Sequence, residues 1–179
     1  NATVSPAKKY TKAGTFKPDL FRPFIVKNLF NPGEVGMIAG APGLGKTTIM
    51  AAIAAHAAQG RNLGEHEVKD TVVIYYAAED PYGVLCRAYP YMGDTACENA
   101  PFYVIHGGEN LADPKAAEKI VAVTRNRMIA HKTDKALIVF DTLNRCIGDA
   151  DENSSSAMAT VVANANHIAH TVNAAVVLI

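Results

Sequence analysis

No apolar run in this sequence reaches the roughly 18 residues that a helix needs to cross a bilayer, so a membrane-spanning helix is not expected. The first stretch, NATVSPAKKYTKAG, is basic, but no apolar core follows it, so it is not expected to be a secretory signal. Neither charge is in excess: 17 Lys and Arg balance 17 Asp and Glu. Overall charge therefore does not announce a long polyanionic partner, although a local basic face stays compatible with the count. Cysteine is scarce, with three residues, Cys86, Cys97 and Cys146, and no CxxC pair. An odd number without a CxxC pair points to a reducing, cytoplasmic setting with unpaired thiols. Buried small hydrophobes are the role expected of them. Internal repeats are absent, and the triple serine at 154–156 is the only low-complexity stretch.

What is present suits one globular domain. The 179 residues are enough to bury a full core, and 49% hydrophobic with 19% charged residues is an ordinary balance. Residues 1–20, with Lys8, Lys9, Lys12 and Lys17, read as a flexible arm or linker, and residues 21–179 as the domain. The lysines of that arm are solvated or touch a phosphate backbone; the first reading is the simpler. The chain starts at Asn1 rather than Met and stops in the apolar run TVNAAVVLI without a turn. It is therefore expected to be a piece of a longer protein, its C-terminal part missing.

Apolar runs alternate with helical patterns from Phe21 onward. Strands are expected at Gly36–Ala39, Val72–Tyr76, Phe102–Ile105, Ala136–Phe140 and within Thr171–Ile179. Helices are expected at Thr47–Gln59, closed by Gly60, and at Tyr82–Tyr89, stopped by Pro90. Another starts at Asp113-Pro114, with Asp113 as cap and Pro114 at its first position, and runs to about Ala130; the last is capped by Ser154 or Ser155 and runs to about His170. The strands lack polar alternation, so both faces of the sheet are covered. The pattern predicts a three-layer α/β fold with a mainly parallel sheet and right-handed crossovers.

GAPGLGKT, Gly40 to Thr47, matches the phosphate-loop pattern G-x-x-x-x-G-K-[ST] in full, with a strand before it and a helix after it. Gly43 and Gly45 let the backbone fold around an anion, and the helix adds its positive end. Gly40, Ala41, Pro42 and Leu44 complete the loop. Lys46 places a charge on the β- and γ-phosphates, the Thr47 hydroxyl is a Mg²⁺ ligand, and Thr48 reaches the α-phosphate. LIVFD, Leu137 to Asp141, drives an apolar strand into the core and brings out a carboxylate at the sheet edge where α/β ligands bind. Asp141 is then the second candidate Mg²⁺ ligand; the plainer alternative is a turn residue.

The residue after Asp141 is Thr142, so the glutamate that many ATPases carry there is absent. The stretch VVIYYAAEDP supplies another acid, Glu79, just past a core strand on the same edge. From the residues alone two readings of Glu79 stay open, a solvated strand end and the group that activates water. Asp80, before Pro81, reads as a turn residue.

Taken together, GMIAGAPGLGKTT, YYAAED, LIVFDTLNR and DENSSSAM resemble the RecA-like P-loop ATPase core, nearest to the RepA-type replicative helicases and related phage or plasmid AAA-family ATPases. The resemblance spans about Gly33 to Ile179. It implies Mg²⁺-dependent ATP hydrolysis, Glu79 as the catalytic glutamate, Asp141 as the metal aspartate, a homo-oligomeric ring, and single-stranded DNA as partner of the full-length protein. It also implies a polar sensor and an arginine finger beyond Ile179, so this chain is expected to be catalytically incomplete. Two rival functions are a nucleotide-dependent assembly switch without efficient hydrolysis and a P-loop phosphotransferase.

Other residues have two readings each. Arg87 and Arg145 touch phosphate, a neighbouring subunit or DNA, or else pair with local acids, Asp149 or Asp151 for Arg145. His167 and His170 share a helix face, where packing is the simpler role and a zinc site lacks further ligands. Tyr75 and Tyr76 are expected in the core.

Overall fold

The computed structural model describes residues 12–17, 21–92, 98–148 and 154–179. The elements, in chain order, are β1 (Val35–Met37), α1 (Lys46–Gln59), β2 (Val72–Ala77), α2 (Pro81–Met92), β3 (Phe102–His106), α3 (Pro114–His131), β4 (Ala136–Asp141), α4 (Ser155–Thr171) and β5 (Ala174–Leu178). Among the described residues the strands form one five-stranded, all-parallel sheet in the order β1-β5-β4-β2-β3.

The period-two alternation of β2 and β4 divides their side chains between two cores. Val72, Ile74, Tyr76, Ile138 and Phe140 face α3 and α4, packing with Ile120, Val161 and Ile168. Val73, Tyr75, Ala77, Leu137 and Val139 face the opposite way, onto Met50, Ile53 and Ala54 of α1 and Val84 of α2. Every residue of β2, β4 and β5 is buried, which is why these runs carry no polar alternation. The expected three-layer α/β architecture is therefore the observed one.

Local signals account for most helix ends. Asp113 caps α3 by accepting from the Lys115 N–H, with Pro114 in the first turn. Ser154 caps α4 by accepting from the Ala157 N–H. Gly60 closes α1 at φ 60°, and a Cβ there would lie 3.1 Å from Cβ of Asp70.

Two expectations are corrected. Pro90 does not stop α2, which continues to Met92. The end of the helix is held from outside: Gln59 Nε2 donates to the Tyr91 carbonyl at 2.9 Å, and Ala88 packs on Ala51 and Ala55. These contacts offset the hydrogen bond that proline removes. The first strand is Val35–Met37 rather than Gly36–Ala39, because its ladder with β5 begins at Val35; the Ile38 N–H still donates to the Leu178 carbonyl, and beyond it the chain turns into the phosphate loop. Of the cysteines, Cys146 is buried as expected, Cys86 is exposed because it lies on the solvent side of α2, and Cys97 lies outside the described residues. Burial pushes the Cys146 thiol up to about 12, so it stays protonated.

Aromatic contacts tie the two central strands together. Tyr76 and Phe140 stack with ring centroids 4.9 Å apart and planes 9° from parallel. Phe140 is fully buried. Phe140→Ala is expected to cost about 3–5 kcal/mol of stability, to be read from the midpoint of urea unfolding.

Candidate functional site

The chain reverses its progress across the sheet after β3, and the covering helices change face with it. Neighbouring β2 and β4 therefore send their following loops to opposite faces, opening a crevice at the carboxyl edge. Ala77 pairs with Asp141 across that boundary, and the Ala78 N–H donates to the Asp141 carbonyl at 2.7 Å. Glu79 follows two residues after Ala77. The two acids singled out in the sequence thus emerge side by side.

The phosphate loop enters the crevice from β1. Gly43 and Gly45 both lie at φ 82°, in the left-handed region. A Cβ at either would meet nothing within 4 Å, so backbone conformation rather than space selects glycine. Gly45 is also the N-cap of α1 and supplies no side-chain acceptor, and the first turn has no acid. The amides and positive end of α1 are thereby presented to the crevice, a ready anion cradle. Lys46 Nζ donates to the carbonyls of Gly40 and Ala41 at 2.8 and 3.2 Å.

Three adjoining cavities share Glu79. One of about 370 Å³ is lined by Pro42, Gly43, Gly45, Lys46, Thr47 and Thr48, with Arg87 and Thr142 opposite. A second, of about 170 Å³, brings Thr47 and Asp141 together with Glu79, Asp80 and Arg87. A larger one, about 610 Å³, extends from Gly40, Lys46 and Glu79 over an apolar wall that includes Met37, Leu143 and Met158. Ala41 and Leu44 line none of the three; Ala41 serves through its carbonyl, and the Leu44 side chain is exposed.

Both acids have defined partners. Asp141 is only 5% exposed, and its Oδ2 accepts from the Tyr75 hydroxyl at 2.6 Å. Burial and this bond both push the Tyr75 phenol well above its usual range, so it remains a donor. The Thr142 hydroxyl donates to Glu79 Oε1 at 2.8 Å, and Arg145 Nε lies 3.7 Å from the same oxygen. Arg145 thus faces Glu79; Asp149 and Asp151, its expected partners, lie outside the described residues. The Asp141–Thr142 peptide is cis.

Asp80 has a different task from Glu79. Its Oδ1 accepts from the Gly83 N–H at 2.7 Å at the start of α2, and its Oδ2 pairs with Arg87 at 3.3 Å. His167 pairs with Glu118 across α3 and α4, a packing contact remote from the crevice.

The donor set fits a hard divalent cation. The Thr47 hydroxyl and the Asp141 carboxylate are both oxygen donors lining one small cavity, without sulfur or imidazole. Among the described residues no group of three or more His, Cys, Asp and Glu side chains forms a metal cage. The two oxygen donors fit an ion such as Mg²⁺, which keeps waters and draws ligands from phosphate.

A family model described as an AAA domain matches residues 16–179. The chain belongs to this AAA-domain family. Among solved structures, the RadB recombinase superposes on the AAA domain with a TM-score of 0.54 and 17% identity, covering 83% of this chain and 61% of that one. An ATP synthase subunit, NeqB from Nanoarcheaum equitans, gives a TM-score of 0.51 and 12% identity over 82% of this chain and 38% of that one. At these identities the likeness is one of fold, and the fold of the AAA domain is the RecA-like P-loop α/β fold. The chain spans less than two thirds of the length of either structure. No curated protein sequence matches it.

The Gly83 N–H and the Arg87 guanidinium hold the Asp80 carboxyl below its ordinary range. A depressed folded-state value means that the contribution of Asp80 is present above the ordinary carboxylate range and is lost as pH falls through the folded value. Asp80→Asn keeps the cap and removes this titration. Amide exchange at Gly83 and Val84, corrected for intrinsic rates, is expected to lose protection in acid in the parent chain and to be flatter with pH in Asp80→Asn.

Proposed function

We propose that the chain is the nucleotide-binding core of a Mg²⁺-dependent ATPase, part of a ring-forming motor of the RepA-like replicative helicase type that acts on single-stranded DNA. The observation that carries the ATPase reading is the convergence of Lys46, Thr47, Asp141 and Glu79 on adjoining cavities at one sheet edge. The motor, the ring and the DNA partner are supported by the motif resemblance, above all by the AED of YYAAED and the acidic-serine run DENSSSAM. Residues 21–179 are its catalytic core; the expected arm lies for the most part outside the described residues.

The amides from Gly43 to Thr48 and the ammonium of Lys46 hold the phosphates, with Gly40, Ala41, Pro42 and Leu44 shaping the loop. Thr47 and Asp141 would hold Mg²⁺, which would supply neutralisation of phosphate charge. Glu79 Oε1 is already engaged by Thr142, which leaves Oε2 to accept the proton of an attacking water. The water oxygen then bonds to the γ-phosphorus as the bond to the β–γ bridging oxygen breaks, giving ADP and phosphate. Lys46 stabilises the charge that develops on the transferred group.

Glu79→Gln is expected to keep ATP binding and to lower turnover by about 10²- to 10⁴-fold, the usual worth of a positioned general base. Full turnover in Glu79→Gln removes Glu79 from the mechanism. Comparing ATP hydrolysis with and without single-stranded DNA tests the motor: stimulation supports it, whereas binding without hydrolysis in the full-length protein favours the assembly switch and phosphate transfer to another acceptor favours the phosphotransferase.

Thr142→Val keeps the shape of residue 142 and removes its hydroxyl. It is expected to lower kcat about two- to tenfold, the worth of one hydrogen bond, with ATP affinity unchanged. Steady-state kinetics beside a direct nucleotide-binding titration separate the two effects.

A further inference from the structure

We propose that Tyr75 is a positioning residue for the metal site: its hydroxyl locks the Asp141 carboxylate through Oδ2, so that Oδ1 is the oxygen turned toward Thr47. The proposal rests on Asp141 being a Mg²⁺ ligand.

Strand parity brings the pair together. Tyr75 and Ala77 of β2, and Val139 of β4, all point to the α1 side of the sheet. Asp141 is two residues beyond Val139 and so points to that side too, the side on which α1 presents Thr47. Tyr75 is paired with Val139 in the ladder, a two-residue step short of the Ala77–Asp141 pair. Its long side chain spans that step and crosses to β4. Ala77, which faces the same core between the phenol and the sheet edge, is small.

A phenylalanine would fill this position without a polar atom to satisfy. A buried hydroxyl is costly unless bonded, and Tyr75 is fully buried. Its bond to Asp141, at 2.6 Å, has the length of a hydrogen bond to an ionised acceptor. The ring makes a tilted contact with Phe102, centroids 6.3 Å apart, and is packed in the α1-side core. The carboxylate is thus held by a donor anchored in the core. A free carboxylate rotates and offers either oxygen; this one offers one oxygen in one direction. Partners that orient a metal ligand in this way typically change metal affinity by about 10- to 100-fold when removed.

The test measures Mn²⁺ binding by electron paramagnetic resonance in the presence of a saturating non-hydrolysable ATP analogue. The parent chain is compared with Tyr75→Phe, Asp141→Asn and the double variant. Tyr75→Phe is expected to weaken Mn²⁺ binding about tenfold while leaving metal-free analogue binding unchanged. In the Asp141→Asn background it is expected to add nothing. If Asp141→Asn weakens Mn²⁺ binding and Tyr75→Phe does not, the positioning role is overturned while Asp141 remains a ligand. Equal losses from Tyr75→Phe in both backgrounds overturn it as well, since the tyrosine then acts through the fold. If Asp141→Asn leaves Mn²⁺ binding untouched, the metal reading itself fails. Should Tyr75→Phe not fold, Tyr75→Leu, which admits water to the vacated carboxylate oxygen, carries the same comparison, and parent-like Mn²⁺ affinity in it overturns the proposal.

Discussion

The parallel pairing of β2 with β4 is the constraint on which the crevice depends. Both strands are buried along their whole length, and each large apolar side chain contributes about 1.5–3 kcal/mol on burial. That sum sets the register, and the register sets Ala77 against Asp141. A carboxylate inside the ladder would cost several kcal/mol without bonded partners. At the strand's last position it meets a tyrosine donor on one side and the cavity shared with Thr47 on the other. The acids are close because a one-residue slip would exchange side chains between the two cores and spoil the packing of both.

The fold is legible in the sequence wherever one physical cause dominates. Val72–Ala77 and Ala136–Asp141 are apolar at nearly every position before the end because both faces are covered, and a run of that length between turn residues suits little else. Gly60, Asp113 and Ser154 mark helix ends because capping is local. Pro90 misleads for the converse reason. Its local effect is real, but the contacts from Gln59 and the alanines of α1 come from residues more than thirty positions earlier in the chain, and no local rule contains them.

The site divides along the same line. The phosphate loop is written contiguously, since its chemistry is that of consecutive backbone amides, and Gly43 and Gly45 have the left-handed backbone that the motif requires. The nearness of Glu79 and Asp141 follows from placing both at strand ends. The bond from Tyr75 to Asp141, and the contacts of Thr142 and Arg145 with Glu79, do not follow. They depend on which strand neighbours which and on the parity of each side chain, quantities that a single sequence leaves open until the strand order β1-β5-β4-β2-β3 is known. Tyr75 in particular reads as core, and it is core; its polar atom is the part that composition does not locate.

The cap on α2 has a mechanical consequence. Only Ala78 and Glu79 separate the end of β2 from Asp80, whose carboxylate is tied to the first turn of the helix. Two residues span at most about 7 Å of chain, so the connection is short. A rigid shift or tilt of α2 by more than a fraction of that length is transmitted to the Glu79 backbone, while β2, locked between two neighbours, stays still. The Glu79 carboxylate is thereby tied to a helix whose outer side, with Tyr82, Leu85 and Tyr89, faces away from the core.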